Sequence, residues 1–428
     1  MGRLSLREYG LRGLLFAASL LVCALIVEIF LRSFPHYLPA DYRAAFPMNG
    51  LGLLQPGILE RTPIDAVPLP YYTSHPITQT LPVPQDLKDR GLVARNHNAD
   101  QERYPKVVFS TDRYGLANSA VPERADILIV GDSFAYAAGM RVPLGLIARL
   151  QQQIPETIYN LGVPAIGPQR EFYMLTNIGL PLRPKGVIWL FFGGNDIDDA
   201  ASLARHQADG IRYYGDFTRD FSYPDSYFID LVGKALAPKN MNAERTGPAP
   251  LSPFIYDQGG AHEQLWFHPA YLRNLGQDQH YWQQHIGWHA TREVLSSAHA
   301  ALNGAGISLL LVYMPSKAQA YLPYVARDPQ LLHRMASFDL AEPLITPPDQ
   351  LWESTLKNHG SQEAVVAAFA ASEGIDYLSL TPAMEQAAQE GLLGYLAADT
   401  HWNDIGQRVA VEPILDWIRT QGVSRLEP

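Results

Sequence analysis

Five short apolar runs, each closed by a glycine, a proline or a polar cluster, recur along this chain from residue 126 onward. They are DILIV at 126–130, TIYN at 157–160, GVIWLFF at 186–192, ISLLLVY at 307–313 and IDYLSL at 375–380. Their length and their content of branched and aromatic residues mark them as buried strands. Helix-like stretches lie between them, including Leu144 to Gln153, Arg170 to Ile178, Trp282 to Leu302, Gln362 to Ser372 and Gly406 to Thr420. Such alternation predicts an α/β fold with a parallel sheet covered by helices on both faces. In that architecture chemistry gathers at the carboxyl ends of the strands, just past each apolar run.

The 428 residues suffice for one large domain with insertions. With 43 acidic against 33 basic side chains and a net charge of -10, no broad phosphate-binding surface is expected, which excludes nucleic acid as a partner. The single cysteine, Cys23, permits neither an internal disulfide nor a thiolate metal site downstream. Val22 before it is not the small residue of a lipoprotein acylation site, so Cys23 reads as apolar filler.

Residues 1–12 read as a cytoplasmic N-terminus carrying Arg3, Arg7 and Arg12, and Gly13 to Leu31 as an apolar run close to the roughly 20 residues of a transmembrane helix. The positive-inside tendency then puts everything after Phe34 outside the cytoplasm, in a bacterial periplasm. A cleaved signal is the competing reading, but Glu28, Arg32 and prolines follow the run in place of a small-x-small site. Glu28 and Arg32, four apart on one helix face, are expected to pair. Residues 32–105 are proline-rich and read as a spacer. The domain proper spans 106–428, with an insertion at about 197–281 too long for an ordinary connection.

Three blocks carry the candidate chemistry. Gly131-Asp132-Ser133-Phe134 follows the first run and puts a serine at a strand-to-helix corner, where it can attack and its own amide can hold an oxyanion. Gly193-Gly194-Asn195-Asp196 follows the third run and offers the Asn195 amide to the same rim. Asp399-Thr400-His401-Trp402-Asn403 precedes the last helix, where a carboxylate can orient a histidine acting as base toward Ser133. Each has a bland reading, as helix cap, turn and capping segment respectively, and it is their order relative to the strands that favours function.

These residues resemble the blocks of the SGNH, or GDSL-like, hydrolase superfamily over roughly Ala125 to Trp417, the insertion apart. The resemblance implies a flavodoxin-like three-layer α/β/α fold, no cofactor and no metal, Ser133 as nucleophile, Asn195 and the Ser133 amide as oxyanion-hole donors, His401 as general base and Asp399 as its acid. One residue separates Asp399 from His401, where the superfamily usually has two. That shorter spacing with Trp402 following resembles the subgroup that acetylates exported bacterial polysaccharides. The second block, Asn160 to Gly167, offers Gly162 and Gly167 as further oxyanion donors but has Ala165 where the family glycine aligns, and which amide serves stays open.

The expectation is therefore a membrane-anchored serine acyl-esterase or O-acetyltransferase acting through an acyl-Ser133 on a carbohydrate or other acyl ester, with a membrane acyltransferase as candidate partner. Its rival is a catalytically silent SGNH-like domain that binds glycan or scaffolds a synthesis complex; a phosphatase or metal hydrolase ranks below both. His285 and His289, four apart, have zinc spacing but no third ligand. Lys317 can steer an acidic glycan, though a solvated lysine at a turn is favoured. Tyr213, Tyr214, Tyr223, Tyr227, Tyr256, Tyr271 and Tyr281, with Trp266, Trp282 and Trp288, form either a sugar-stacking platform or, as favoured, the insertion's own small core.

Overall fold

The computed structural model describes residues 6–33, 76–80, 106–110, 112, 114, 116–136, 145–164, 166–208, 253–338, 340, 344–396 and 400–422. The chain divides into two compact units, Met1–Tyr71 with Arg212–Arg245, and Tyr72–Ile211 with Thr246–Pro428. In the first, Leu6–Ser33 forms one helix of 28 residues that contains the apolar run. Leu15, Phe16, Leu20, Leu21, Val22, Leu25 and Ile26 on it are exposed. Over the described residues no helix is long and apolar enough to cross a membrane; several side chains of this helix, those of Gly13, Leu14 and Ala17 among them, lie outside that description.

The second unit is built on a parallel sheet. Its strands are β3 (Ile127–Val130), β4 (Ile158–Asn160), β5 (Gly186–Phe192), β8 (Ser308–Met314) and β9 (Asp376–Ser379), in the spatial order β4-β3-β5-β8-β9. Every neighbouring pair is parallel. Counted within the sheet, this is the 2-1-3-4-5 order of the flavodoxin-like fold, whose crevice opens where the winding reverses, beyond the ends of β3 and β5. Each of the five apolar runs became one of these strands.

The strands of the sheet's centre are buried on both faces because residues alternate between them. Ile127, Ile129, Ile188, Leu190, Leu310 and Val312 share one core cluster with residues of the helices Leu146–Gln151, Thr381–Gln389 and Asp404–Trp417. On the other face Trp189 donates its indole N–H to Glu171 of the helix Pro168–Met174 at 2.6 Å, and the helices Asp196–Ala208 and Ile286–Gly304 pack together. Each fully buried Ile or Leu of this kind contributes on the order of 1.5–3 kcal/mol.

Two expectations are corrected. The helix expected over Trp282–Leu302 is two, Gln279–Gln284 and Ile286–Gly304, broken at His285, whose extended backbone (φ -69, ψ 129) ends one and caps the next. The described end of the insertion is no separate core: β6 (Phe254–Gln258) and β7 (Ala261–Leu265) make a hairpin over Gly259-Gly260, and Phe254, Tyr256, Leu265, Trp266 and Phe267 join the main cluster. β1 (Pro76–Thr80), within the proline-rich spacer, pairs antiparallel with β2 (Lys106–Ser110). Helices unforeseen in the sequence occupy Pro269–Leu275, Lys317–Tyr321, Pro329–Ala336, Pro348–Asn358 and Thr381–Gln389.

Candidate active site

β3 ends at Val130, and the chain turns at Gly131, whose φ of +155 disfavours any side chain and where a Cβ would stand 2.9 Å from the Leu190 carbonyl. The next residues form a single turn closed by the Tyr136 amide on the Asp132 carbonyl at 3.1 Å. Ser133 sits in this turn, half-buried. The helix expected directly behind the serine begins, among the described residues, only at Leu146. Asp132 anchors the turn: it is 1% exposed, its Oδ1 accepts the Phe134 amide at 2.9 Å, and its Oδ2 lies 3.4 Å from the Ser133 hydroxyl.

His401 arrives from the other end of the chain. Its Nε2 lies 2.8 Å from Ser133 Oγ across a separation of 268 residues. With Nε2 unprotonated, the serine hydroxyl donates to it, which is the arrangement a general base requires. The Phe134 ring packs against both His401 and Trp402, at 5.2 and 5.1 Å between centroids, and against Phe192 at 4.3 Å. Asn403 caps the last helix by accepting the amides of Ile405 and Gly406. Asp399, the expected partner of His401, lies outside the described residues, as does Ala165.

Asn195 stands beyond β5 at the expected rim, and its Nδ2 donates to Asp199 Oδ2 at 2.8 Å. Asp196 is fully buried, and its Oδ2 accepts the Phe192 amide at 2.8 Å, pinning the Gly193-Gly194 turn from behind. Of the second block, the Gly162 amide is committed to Asn160 Oδ1 at 2.8 Å. Gly162 is needed for space: a Cβ there would lie 2.5 Å from the Ala135 side chain. In this conformation its N–H therefore shapes the loop and does not face an oxyanion. Gly167 caps the helix Pro168–Met174 and packs beside Asp199.

The electrostatics below the site were not foreseen. Burial, above all, drives the carboxyls of Glu171 and Asp196 well above the usual range; the charge of Asp132 adds to both, and that of Glu171 adds to Asp196. Burial also raises Asp132 to about 6, against the Phe134 amide and the charge of His401, which pull it down. Glu171 looks, in the sequence, like an ordinary polar position of an amphipathic helix.

Other sequence candidates resolve differently. Lys317 is no solvated lysine: it is 2% exposed and donates to the Leu396 carbonyl at 2.9 Å. His285 caps a helix by accepting the Gly287 amide and lies 3.9 Å from Asp198; among the described residues no group of three or more His, Cys, Asp or Glu could hold a metal. Trp266, Trp282, Trp288 and Tyr256 are buried, so they form no stacking platform, whereas Tyr281 is exposed. Tyr213, Tyr214, Tyr223 and Tyr227 lie outside the described residues.

Fold and site together define a class, a flavodoxin-like α/β domain with a serine–histidine pair at the switch point of a 2-1-3-4-5 sheet. No family model matches the chain, and no curated protein matches it. Among solved structures it is similar to an extracellular lipase from Streptomyces rimosus (12% identity, TM-score 0.36, covering 68% of this chain and 98% of that one). It is also similar to the acetyl xylan esterase AlAXEase (11%, 0.34, 68% and 98%), and to a lipase/acylhydrolase from Enterococcus faecalis (14%, 0.32, 71% and 97%). At these TM-scores the likeness is loose, and the functional reading below rests on the site's own geometry.

Proposed function

We propose that this protein is a serine acyl-esterase or O-acyltransferase, anchored to a membrane by its N-terminal helix and acting on an acylated carbohydrate outside the cytoplasm. The observation that carries the reading is the 2.8 Å approach of His401 Nε2 to Ser133 Oγ. A silent scaffold has no need of a base held at hydrogen-bond distance from the one serine in the turn beyond β3.

In this mechanism Ser133 Oγ attacks the acyl carbonyl as its proton passes to His401 Nε2. The Asn195 amide and the Ser133 backbone N–H donate to the oxyanion that develops. Collapse expels the alcohol, which takes the proton back from His401 and leaves an acyl-Ser133 ester. Water or a glycan hydroxyl then attacks that ester, again giving its proton to His401, and the acyl group departs as acid or as a new ester. Asp399 acts as the acid that orients the imidazole.

Support for a glycan-directed transferase comes from the Asp399-Thr400-His401-Trp402 spacing and its resemblance to polysaccharide O-acetylation proteins. Support for anchoring comes from the exposed apolar side chains of the helix Leu6–Ser33. The test is Ser133→Ala against wild type on an activated acetyl ester, with mass spectrometry of the trapped adduct. Loss of turnover with an unchanged fold, and an acetyl group on the Ser133 peptide, are expected; undiminished turnover overturns the assignment. Removal of residues 1–34 should move the protein from the membrane fraction to the supernatant, and a full chain found wholly in the supernatant refutes the anchor.

A further inference from the structure

His401 is held in a two-residue antiparallel stem. One side of the stem is Tyr395-Leu396 and the other is His401-Trp402: Tyr395 and Trp402 form an antiparallel bridge, and the Leu396 amide donates to the His401 carbonyl at 3.0 Å. How far the imidazole projects toward Ser133 therefore depends on where the stem is held.

The His401 side is held by the last helix, through the Asn403 amide on the Gly394 carbonyl at 2.9 Å and Asn403 Nδ2 on the Leu393 carbonyl at 2.7 Å. The other side is held by the residues that follow β8. The Tyr321 hydroxyl accepts the amides of Gly394 and Tyr395, and the Tyr395 hydroxyl donates to the Pro315 carbonyl at 2.5 Å. Lys317 completes the clamp, with Nζ on the Leu396 carbonyl at 2.9 Å and 6.0 Å from the centre of the Phe267 ring. An ammonium that is 2% exposed is costly to bury. A leucine would fill the same space without that cost and would leave the Leu396 carbonyl unbound.

We propose that Lys317 is a positioning residue for the acyl-transfer reaction: by fixing the Leu396 peptide, whose amide donates to the His401 carbonyl, it sets the reach of His401 to Ser133. The Leu396 residue links the two ends of the device, since its carbonyl meets Lys317 and its amide meets His401. Lys317 acts on His401 through the Leu396 peptide, which it holds by the carbonyl. The inference rests on the serine–histidine reading above.

Lys317→Met keeps the length of the side chain and removes its donor. On an activated acetyl ester, kcat should fall roughly 10- to 100-fold with KM within about twofold, and Lys317→Arg should recover part of the loss. A second readout needs no turnover. In wild type, Ser133→Ala should shift the His401 side-chain resonances in 1H–15N spectra, because it removes their hydrogen-bond partner; in the Lys317→Met background the same change should leave them in place. Should Lys317→Met not fold, Lys317→Gln takes its place in both measurements. Unchanged kcat in the folded variant, or equal His401 shifts in both backgrounds, overturns the proposal. Wild type without turnover would refute the functional reading instead, and the resonances would still decide the role of Lys317.

Discussion

Asn160 ties its own strand end to the nucleophile turn, donating from Nδ2 to the Ala135 carbonyl at 2.8 Å while its Oδ1 accepts the Gly162 amide at 2.8 Å. Its backbone is held in turn by Asn118, whose side chain takes the Asn160 amide and gives to the Asn160 carbonyl, both at 2.9 Å. Asn160→Ala leaves two backbone groups without partners in a buried place, a loss on the order of 1–3 kcal/mol for each. Chemical denaturation should show a destabilisation of about 2–6 kcal/mol, and ester turnover should fall as the Ser133 turn loosens. A variant as stable and active as wild type would refute this bridging role.

The strands, their order along the chain and the three blocks were legible because each rests on local signals. GVIWLFF can only be a strand buried on both faces, and Gly131 and Gly193 mark turns at the strand ends. What escaped the sequence depends on long-range pairing. The ammonium of Lys317 meets a carbonyl 79 residues away, and nothing near Met314-Pro315-Ser316-Lys317 announces that acceptor. Glu171 is buried in a layer where Trp189, 18 residues on, donates to it. The β6–β7 hairpin is a different case. Gly259-Gly260, with φ of +57 and +81, is a two-residue turn signal that the sequence does contain, overshadowed by the length of the insertion around it.

The buried acids give stability a definite pH dependence. Asp132 binds its proton more tightly in the folded chain, where burial raises it to about 6, than in the unfolded one, near 4. Below the lower value it has no effect. As pH rises from about 4 to about 6 the unfolded state ionises first, and on the order of 2–3 kcal/mol of stability is lost. Glu171 and Asp196, raised further, continue the same trend at higher pH. Denaturation midpoints should thus be higher at pH 5 than at pH 8. Asp132→Asn, which keeps an acceptor for the Phe134 amide, should flatten that profile; an unchanged slope would remove Asp132 as its source.

Gly131→Ala separates backbone geometry from chemistry. An alanine must adopt a φ near +155 and place its Cβ 2.9 Å from the Leu190 carbonyl, a strain of about 1–3 kcal/mol before any relaxation. Relaxation would move the Ser133 turn away from β5. Both a lower melting temperature and a loss of Ser133 labelling by a fluorophosphonate are expected, and an alanine variant labelled at the wild-type rate would show that the turn tolerates another path.

Asp199 connects the oxyanion side of the site to the buried acids, so its removal should have two separable consequences. It accepts from Asn195 Nδ2 at 2.8 Å, and without it the amide is free to rotate away from the developing oxyanion. Loss of an oxyanion donor costs about 10²–10³ in kcat, and loss of its orienting partner should cost less, roughly 10-fold, with KM little changed. The charge of Asp199 also raises the carboxyls of Glu171 and Asp196. Asp199→Ala relieves that repulsion, so the loss of stability with rising pH should be shallower than in wild type. Asp199→Asn can present its carbonyl to the same amide and should recover most of the activity while keeping the shallower pH slope. Activity and slope moving together in both variants would mean that Asp199 acts through one of these contacts alone.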